Sequence, residues 1–219
     1  MGAIARSAAN NITTSGVFTS SAITNSSVTG ITVLANASDG ITFISSQTAS
    51  SSASLSFTSG LTSTYKAYKF VFVDIHGSVG STNFQFNLST DSGSNYNVTK
   101  TSTFFASFHD ETDSTAELSY RTSYDLAQST AFQPLMEDFD VTQNDGSGTG
   151  TLTIFNPSST TYVKHFISTC HNMRAGGGIF AFSNYSAGYA NTTSAINAIQ
   201  FKMSSGNIDD GKIYLYGIK

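Results

Sequence analysis

The sequence has few charged residues, one cysteine and no cluster of cations, and each shortage excludes a class of protein. Asp, Glu, Lys and Arg make up 11% of the 219 residues, whereas about a quarter is typical of globular domains. The net charge is −4 and Lys and Arg form no run, which excludes binding through the phosphates of a nucleic acid. Cys170 is the single cysteine, so an internal disulfide framework is excluded. We expect a protein that folds without disulfides in a reducing cytoplasm.

Signals for membrane insertion and secretion are also missing. No apolar stretch approaches the roughly 20 residues that span a bilayer. The first residues, Met1 to Arg6, lack the charged start and the long apolar run of a signal peptide. We therefore predict no membrane insertion.

The sequence is instead rich in Ser, Thr, Asn and Gly, and it carries 17 Phe and 10 Tyr. These aromatic residues supply enough bulk for a sizeable core, so general disorder is not expected. With two prolines and no amphipathic helix of ordinary length, the composition predicts an all-β protein.

Alternating apolar and polar residues predict eight to ten strands between residues 51 and 219. Residues 65–75 are apolar on both faces and are predicted to form a central strand. In residues 83–89 the alternation turns Gln85 and Asn87 outward. Residues 109–130 are the least strand-like, with a short helical turn predicted at 125–130. Strands at this spacing predict an antiparallel, jelly-roll-like β-sandwich over residues 51–219.

The end of the chain predicts a hairpin. Residues 199–203 and 212–218 both alternate, and the residues between them, 204–211, favour a turn. In the last strand Ile213 and Leu215 share one face, and Tyr214 and Tyr216 share the other. A terminal strand of this pattern is expected to lie inside a sheet.

Residues 1–50 form a different segment, in which single apolar residues are separated by Ser, Thr and Asn. Two interpretations are open. A flexible linker would have this polar composition, but a linker has no need of repeated Ile, Val and Phe. We predict an extended segment that self-associates, with three chains around a common axis, or docks on another protein. Its contact residues would be Ile12, Phe18, Ile23, Val28 and Ile31.

Catalytic and metal-binding patterns are weak. The four histidines, His76, His109, His165 and His171, do not form the spaced pairs of a metal site, and we predict no metal and no cofactor. A pair of carboxylates could hydrolyse glycosides if the fold set them a suitable distance apart. The candidates are Asp110, Glu111, Asp113, Asp138 and Asp140. Exposed loop acids are far commoner than such pairs, and we predict no enzymatic activity.

Several short motifs resemble virion proteins of tailed bacteriophages, particularly aquatic ones. They are residues 12–18 (ITTSGVF), 26–32 (SSVTGIT), 53–70 (ASLSFTSGLTSTYKAYKF), 155–166 (FNPSSTTYVKHF) and 208–218 (IDDGKIYLYGI). The resemblance implies a non-enzymatic structural protein on the particle surface, as a capsid decoration protein, capsid fibre or tail fibre. It also implies an attachment segment, contacts with other virion proteins and a homotrimer. No catalytic residues come with it.

A carbohydrate-binding adhesin on the same sandwich is the alternative function. Exposed aromatic rings would stack on the sugars of a host-surface glycan. Tryptophan, the best stacking residue, is absent. The predicted glycan contacts are therefore Tyr120, Tyr124 and Tyr185.

Overall fold

The computed structural model describes residues 40–139, 145–175 and 178–219. Within them the chain is all-β, with two antiparallel sheets, which confirms the predicted fold class. The strands are β1 (Ile41–Thr48), β2 (Leu55–Phe57), β3 (Ala67–Gly77), β4 (Thr82–Ser89), β5 (Lys100–Asp110), β6 (Ala116–Tyr120), β7 (Gln133–Phe139), β8 (Gly148–Phe155), β9 (Lys164–Ala175), β10 (Ile179–Ala190), β11 (Ala198–Met203) and β12 (Ile208–Ile218).

The larger sheet has eight strands in the order β1-β12-β3-β8-β9-β10-β5-β6, and the smaller has four in the order β2-β11-β4-β7. The predicted central strand, β3, lies between β12 and β8. This strand order does not confirm a jelly roll, whose eight strands form two Greek keys. The jelly-roll detail stays a prediction.

The last strand lies inside a sheet, but the predicted hairpin is wrong. β12 pairs with β1 and β3 in the larger sheet, whereas β11 pairs with β2 and β4 in the smaller one. The connection between them crosses from one sheet to the other. It is held by hydrogen bonds from the Ser204 N–H to the Asn83 carbonyl at 2.8 Å and from the Asn207 N–H to Ser78 Oγ at 2.9 Å.

A phenylalanine core joins the two sheets. Phe201 of β11 packs edge-on against Phe70 and Phe72 of β3, with ring centroids 5.2 and 5.3 Å apart. Phe86 of β4 meets Phe166 of β9 at 5.2 Å. All five rings are fully buried or nearly so, and edge-to-face pairs of this kind add to the free energy gained from burial alone.

The outward orientation predicted for Asn87 is wrong. Asn87 is fully buried because the outer surface of β4 is covered by other parts of the chain. Its side-chain amide donates to the carbonyls of Tyr96 and Thr130, and its Oδ1 accepts from Lys100 Nζ. Gln85 is only half-buried, as the alternation predicts.

The boundary predicted at residue 50 lies too late in the chain. Residues 41–48 form β1 and pair with β12, and the compact sandwich begins at Gly40. β1 is an edge strand with partly exposed side chains, so it tolerates the Ser and Thr that resemble a linker. The predicted contact residues Ile12, Phe18, Ile23, Val28 and Ile31 lie outside the described residues, as does Asp140.

The region predicted to be least strand-like contains a strand, and the helical turn predicted at 125–130 does not form. β6 pairs with β5 from His109 to Phe105. Residues 125–130 lie beside β5, where Ser102 donates its N–H to the Leu126 carbonyl at 2.8 Å and Lys100 exchanges hydrogen bonds with Ser129. The backbone groups of this segment therefore bond across to β5 and not along a helix.

A second, smaller core lies beneath the β10-β5-β6 end of the larger sheet. It is built on Phe104, Ala106 and Phe182, which are fully buried. Tyr124 and Phe108 are half-buried and pack against it. This core supports the candidate site.

Candidate functional site

A cleft of about 310 Å³ opens beside the smaller core. We call it the arginine cleft. It opens where β6, β7 and β9 end. Its lining residues are Tyr120, Arg121, Thr122, Ser123, Tyr124, Glu137, Asp138 and Arg174.

Arg121 and Glu137 form the buried ion pair of the cleft. Arg121 Nε donates to Glu137 Oε1 at 3.0 Å, and the two side chains are 26% and 3% exposed. The guanidinium carbon also lies 5.3 Å from the ring centroid of Phe108 and 5.5 Å from that of Phe182. Burial raises the pKa of Glu137, and the neighbouring charge of Arg121 opposes that shift. The stacked guanidinium is held in place by contacts on both its face and its edge.

Arg174 and Asp138 form a second, more exposed pair. Arg174 Nη2 lies 2.9 Å from Asp138 Oδ2, and its guanidinium lies over the rings of Phe180 and Phe182. Neighbouring residues of a strand normally point to opposite faces. Asp138 has a φ of 50°, and the pairing of β4 with β7 shifts register here. This irregularity brings Asp138 and Glu137, which are adjacent in sequence, into one cleft.

Two buried asparagines hold the backbone beneath the cleft. Asn184 Nδ2 donates to Asn172 Oδ1 at 2.7 Å, and Asn172 Nδ2 donates to the Glu137 carbonyl at 2.9 Å. The Glu137 N–H donates to Asn184 Oδ1 at 3.3 Å. These bonds connect β7 of the smaller sheet with β9 and β10 of the larger one. The position of Glu137 is therefore fixed by both sheets.

Two of the three predicted glycan contacts line the cleft. Tyr124 is half-buried, and burial together with the charges of Asp138 and Glu137 raises its pKa to about 12. Tyr120 is exposed, and its hydroxyl donates to Asp125 Oδ2 at 2.7 Å. The third, Tyr185, does not line the cleft, although the strand registers place it on the same face of the larger sheet as Tyr120.

The ring of Tyr185 is less accessible to a ligand than the sequence suggests. It stacks on Phe105 of the neighbouring strand, with centroids 4.9 Å apart and an interplanar angle of 13°. One face of the Tyr185 ring is therefore occupied. The three tyrosines do not form one flat platform.

The acidic cluster at residues 110–113 organises a turn. Asp110 Oδ1 accepts from the backbone N–H groups of Ser114 and Thr115 at 2.9 and 2.8 Å, and Oδ2 accepts from the Thr112 hydroxyl at 2.5 Å. The Ser114 hydroxyl also donates to Oδ2, and this hydrogen bond, followed by that of Thr112, holds the pKa of Asp110 well below its usual range. Asp113 has a φ of 56°. Its carboxylate is 3.0 Å from His109 Nε2.

A second cavity, of about 480 Å³, is acidic. Its lining includes Asp74, His76, Asp145, Asp209 and Asp210. His76 Nδ1 lies 3.8 Å from Asp209 Oδ2. Over the described ranges no group of three or more His, Cys, Asp or Glu side chains is arranged to hold a metal ion.

The other two histidines, His165 and His171, line neither the arginine cleft nor the acidic cavity. His165 packs edge-on against Tyr189 at 6.3 Å, and His171 is exposed on β9. In the part of the chain that the structure describes, no helix has the length and apolar character needed to cross a membrane.

Tyr120 and Tyr124 were predicted from the sequence as glycan contacts, which stays a prediction, whereas the charged pairs of the cleft were not predicted. Arg121, Glu137 and Arg174 come from three separated segments, and only the tertiary fold brings them together. One local signal was present. Glu137-Asp138 interrupts an apolar strand, and a buried charge in such a strand requires a partner.

Comparison with known proteins adds nothing to this description. The chain matches no protein-family model, and neither a curated protein nor a solved structure matches it.

Proposed function

We propose that the chain is a non-enzymatic structural protein of a tailed-bacteriophage particle. Its N-terminal segment anchors it to other virion proteins, and the β-sandwich is displayed at the particle surface. The motifs at residues 12–18, 155–166 and 208–218, which resemble phage virion proteins, support the phage assignment.

One observation carries the non-enzymatic part of the proposal: three of the candidate acids, Asp110, Asp113 and Asp138, are already engaged in hydrogen bonds or ion pairs within the fold. Glycoside hydrolysis requires one carboxyl group with a raised pKa to protonate the leaving group and a second that stays ionised. The pKa of Asp110 is shifted the opposite way. Glu137 does have a raised pKa, but its carboxylate is paired with Arg121 at 3.0 Å.

Particle composition tests the proposal. Particles purified from an infected culture are analysed by mass spectrometry, and an antibody against the sandwich is used for immunogold labelling. We expect the chain among the particle proteins and gold on the shell or the tail. A chain that is abundant in infected cells but absent from purified particles would contradict the proposal.

The N-terminal anchor is tested by replacing Ile12, Phe18, Ile23, Val28 and Ile31 with serine. We expect this variant to fold and to be missing from the particles. Tyr162→Ser, at an exposed loop position of the sandwich, is the control and should be incorporated normally. Incorporation of the serine variant at the level of the original chain would rule out this segment as the anchor.

Glycan binding is a second candidate function, favoured by the arginine cleft. Binding sites typically combine a concave surface with aromatic rings and a few fixed polar groups. Tyr120 and Tyr124 supply the rings. The ion pairs of Arg121 and Arg174 supply planar polar groups that can hydrogen-bond to vicinal hydroxyls.

Two of the predicted tyrosines provide a matched test of glycan binding. Binding of the full chain to purified lipopolysaccharide and capsular polysaccharide of the host is measured by biolayer interferometry. We expect Tyr120→Ala, in the cleft, to weaken binding by about tenfold, the value of one aromatic stacking contact. Tyr185→Ala, outside the cleft, should leave binding unchanged. Equal loss in both variants, or no binding by the original chain, would exclude the cleft as a glycan site.

A further inference from the structure

On one side of the larger sheet, the five neighbouring strands from β8 to β6 form an exposed area without Asp, Glu, Lys or Arg, which ends at β3, where Lys69 pairs with Thr153 of β8. We define the outer face as the odd-numbered residues of β8, β9, β10 and β5 and the even-numbered residues of β6, which the strand registers place on one side. In these five described strands, Asp, Glu, Lys and Arg are absent from the outer-face positions. Thr, Ser, Ala, Tyr, Phe, Ile, Leu, Met and His occupy them.

Large apolar side chains lie open on this face. Leu118 is 70% exposed, Ile167 53%, Tyr120 52% and Phe105 41%. A scattered exposed apolar residue is ordinary, but a contiguous patch of more than a few hundred Å² on a monomer marks an interaction surface. Here the patch is contiguous, because Tyr120 pairs with Phe105, and Phe105 with Tyr185, across adjacent strands.

The size of the face matches an interface. The five strands of the outer face, at about 4.8 Å spacing, are roughly 24 Å wide. Their average length is about nine residues, which at about 3.4 Å per residue is about 30 Å. The product is roughly 700 Å², close to the approximately 800 Å² that each partner contributes to a standard stable interface.

We propose that a second copy of this chain covers the outer face, so that the two larger sheets pack face to face. The absence of charge favours an identical partner, because two copies meet without like-charge repulsion. A partner of opposite charge would instead require charged side chains on the face to be recognised. Two sheets pack in this way about 10 Å apart, with their side chains interdigitated. The inference concerns a different surface from the N-terminal segment and does not depend on the virion assignment.

The test places a charge on the face of the full chain and follows its oligomeric state by sedimentation velocity. We expect the original chain to self-associate and Ile167→Glu to raise the dissociation constant about 100-fold or more, because an unpaired charge is then buried. Ser63→Glu, at an exposed position between β2 and β3, neither of which contributes to the outer face, should associate like the original chain. Circular dichroism checks the folding of each variant. If Ile167→Glu does not fold, Leu118→Glu on the edge strand β6 makes the same test.

Two results would overturn the proposal. One is an original chain that stays monomeric at about 100 µM, a concentration well above the dissociation constant of ordinary specific complexes. The other is an assembly that survives both Ile167→Glu and Leu118→Glu, because the chains are then held together elsewhere.

Discussion

The side-chain nitrogen of Lys100 lies 2.5 Å from Oδ1 of Asn87, and both residues are fully buried. The Val98 carbonyl accepts a second hydrogen bond from the same nitrogen at 2.8 Å. A charged ammonium group has three N–H donors, whereas a neutral amine has two. The two acceptors therefore match the neutral form. Consistently, burial lowers the pKa of Lys100 to about 7.

This burial makes the stability of the fold depend on pH. Between about pH 7 and pH 10 the folded state holds Lys100 neutral, while the unfolded chain still protonates it, because an exposed lysine has a pKa of about 10.4. The unfolded state then binds more protons, so the free energy of unfolding rises with pH by about 1.4 kcal/mol per unit. Urea unfolding at pH 7, 8 and 9 measures this slope.

Replacing single lysines shows which residue causes the pH dependence of the free energy of unfolding. Lys100→Met should lower the slope by about the contribution of one titrating group, about 1.4 kcal/mol per pH unit. Burial also lowers the pKa of Lys164, so any slope that it contributes has the same sign. Lys66→Met, at an exposed lysine, should keep the full slope. A Lys100→Met protein with the original slope would show that Lys100 stays charged in the fold.

The two ion pairs of the arginine cleft should differ in their effect on stability. Arg121→Met leaves the carboxylate of Glu137 buried without its partner, which costs about 3–5 kcal/mol. Asp138→Asn breaks the pair with Arg174, where both side chains are about a quarter exposed, and should cost less than about 1 kcal/mol. Urea unfolding at pH 7 compares them. Equal costs would mean that burial does not distinguish the pairs.

Asp110 should matter for the fold, while its acidic neighbour should not. Asp110→Asn removes a carboxylate that accepts hydrogen bonds from Thr112, Ser114 and Thr115, so we expect a lower thermal midpoint. Because the pKa of Asp110 is lowered in the fold, its stabilisation is complete above about pH 4 and is lost as the pH falls further. Glu111→Gln should leave the midpoint unchanged. Differential scanning calorimetry at pH 7 decides; equal midpoints for Asp110→Asn and the original chain would contradict the turn assignment.

Strand positions could be predicted from the sequence because alternation reports directly which residues face the core. Phe84, Phe86 and Leu215 are fully buried, as the pattern predicts. Alternation does not report which strand lies beside which, and for this reason two strands in different sheets were predicted to form a hairpin. It also does not report what covers the outside of a sheet. The burial of Asn87 depends on Lys100, which lies in another strand.

The arginine cleft shows the same limit at a site. Tyr120 and Tyr124 were candidates because their residue type alone suggests stacking. The carboxylate of Asp138 reaches the cleft through a left-handed backbone conformation, which aspartate tolerates better than most residues. A strict period of two places Asp138 on the opposite face from Glu137, so the pair could not be predicted from the pattern.

The closing strand should be indispensable. β12 is hydrogen-bonded to β1 on one side and to β3 on the other. Removing residues 212–219 leaves two unpaired strand edges and opens the core, and exposed edges promote aggregation. We expect the truncated chain to be insoluble on expression, as measured by its share of the soluble fraction. Removal of Lys219 alone, which follows the strand, is the control and should be tolerated.

Two neighbouring residues of β12 separate the effect of the core from that of the strand itself. Leu215 is fully buried between the sheets, and Leu215→Ala should lower the free energy of unfolding by about 2–5 kcal/mol, through lost burial and the cavity left behind. Tyr214 points to the other side and is half-buried, so Tyr214→Ala should cost clearly less, since much of its surface already meets solvent. Both variants keep the backbone hydrogen bonds to β1 and β3. Similar costs in urea unfolding would mean that the two faces of β12 are equally buried in solution, as they would be if a further layer packed on the Tyr214 side.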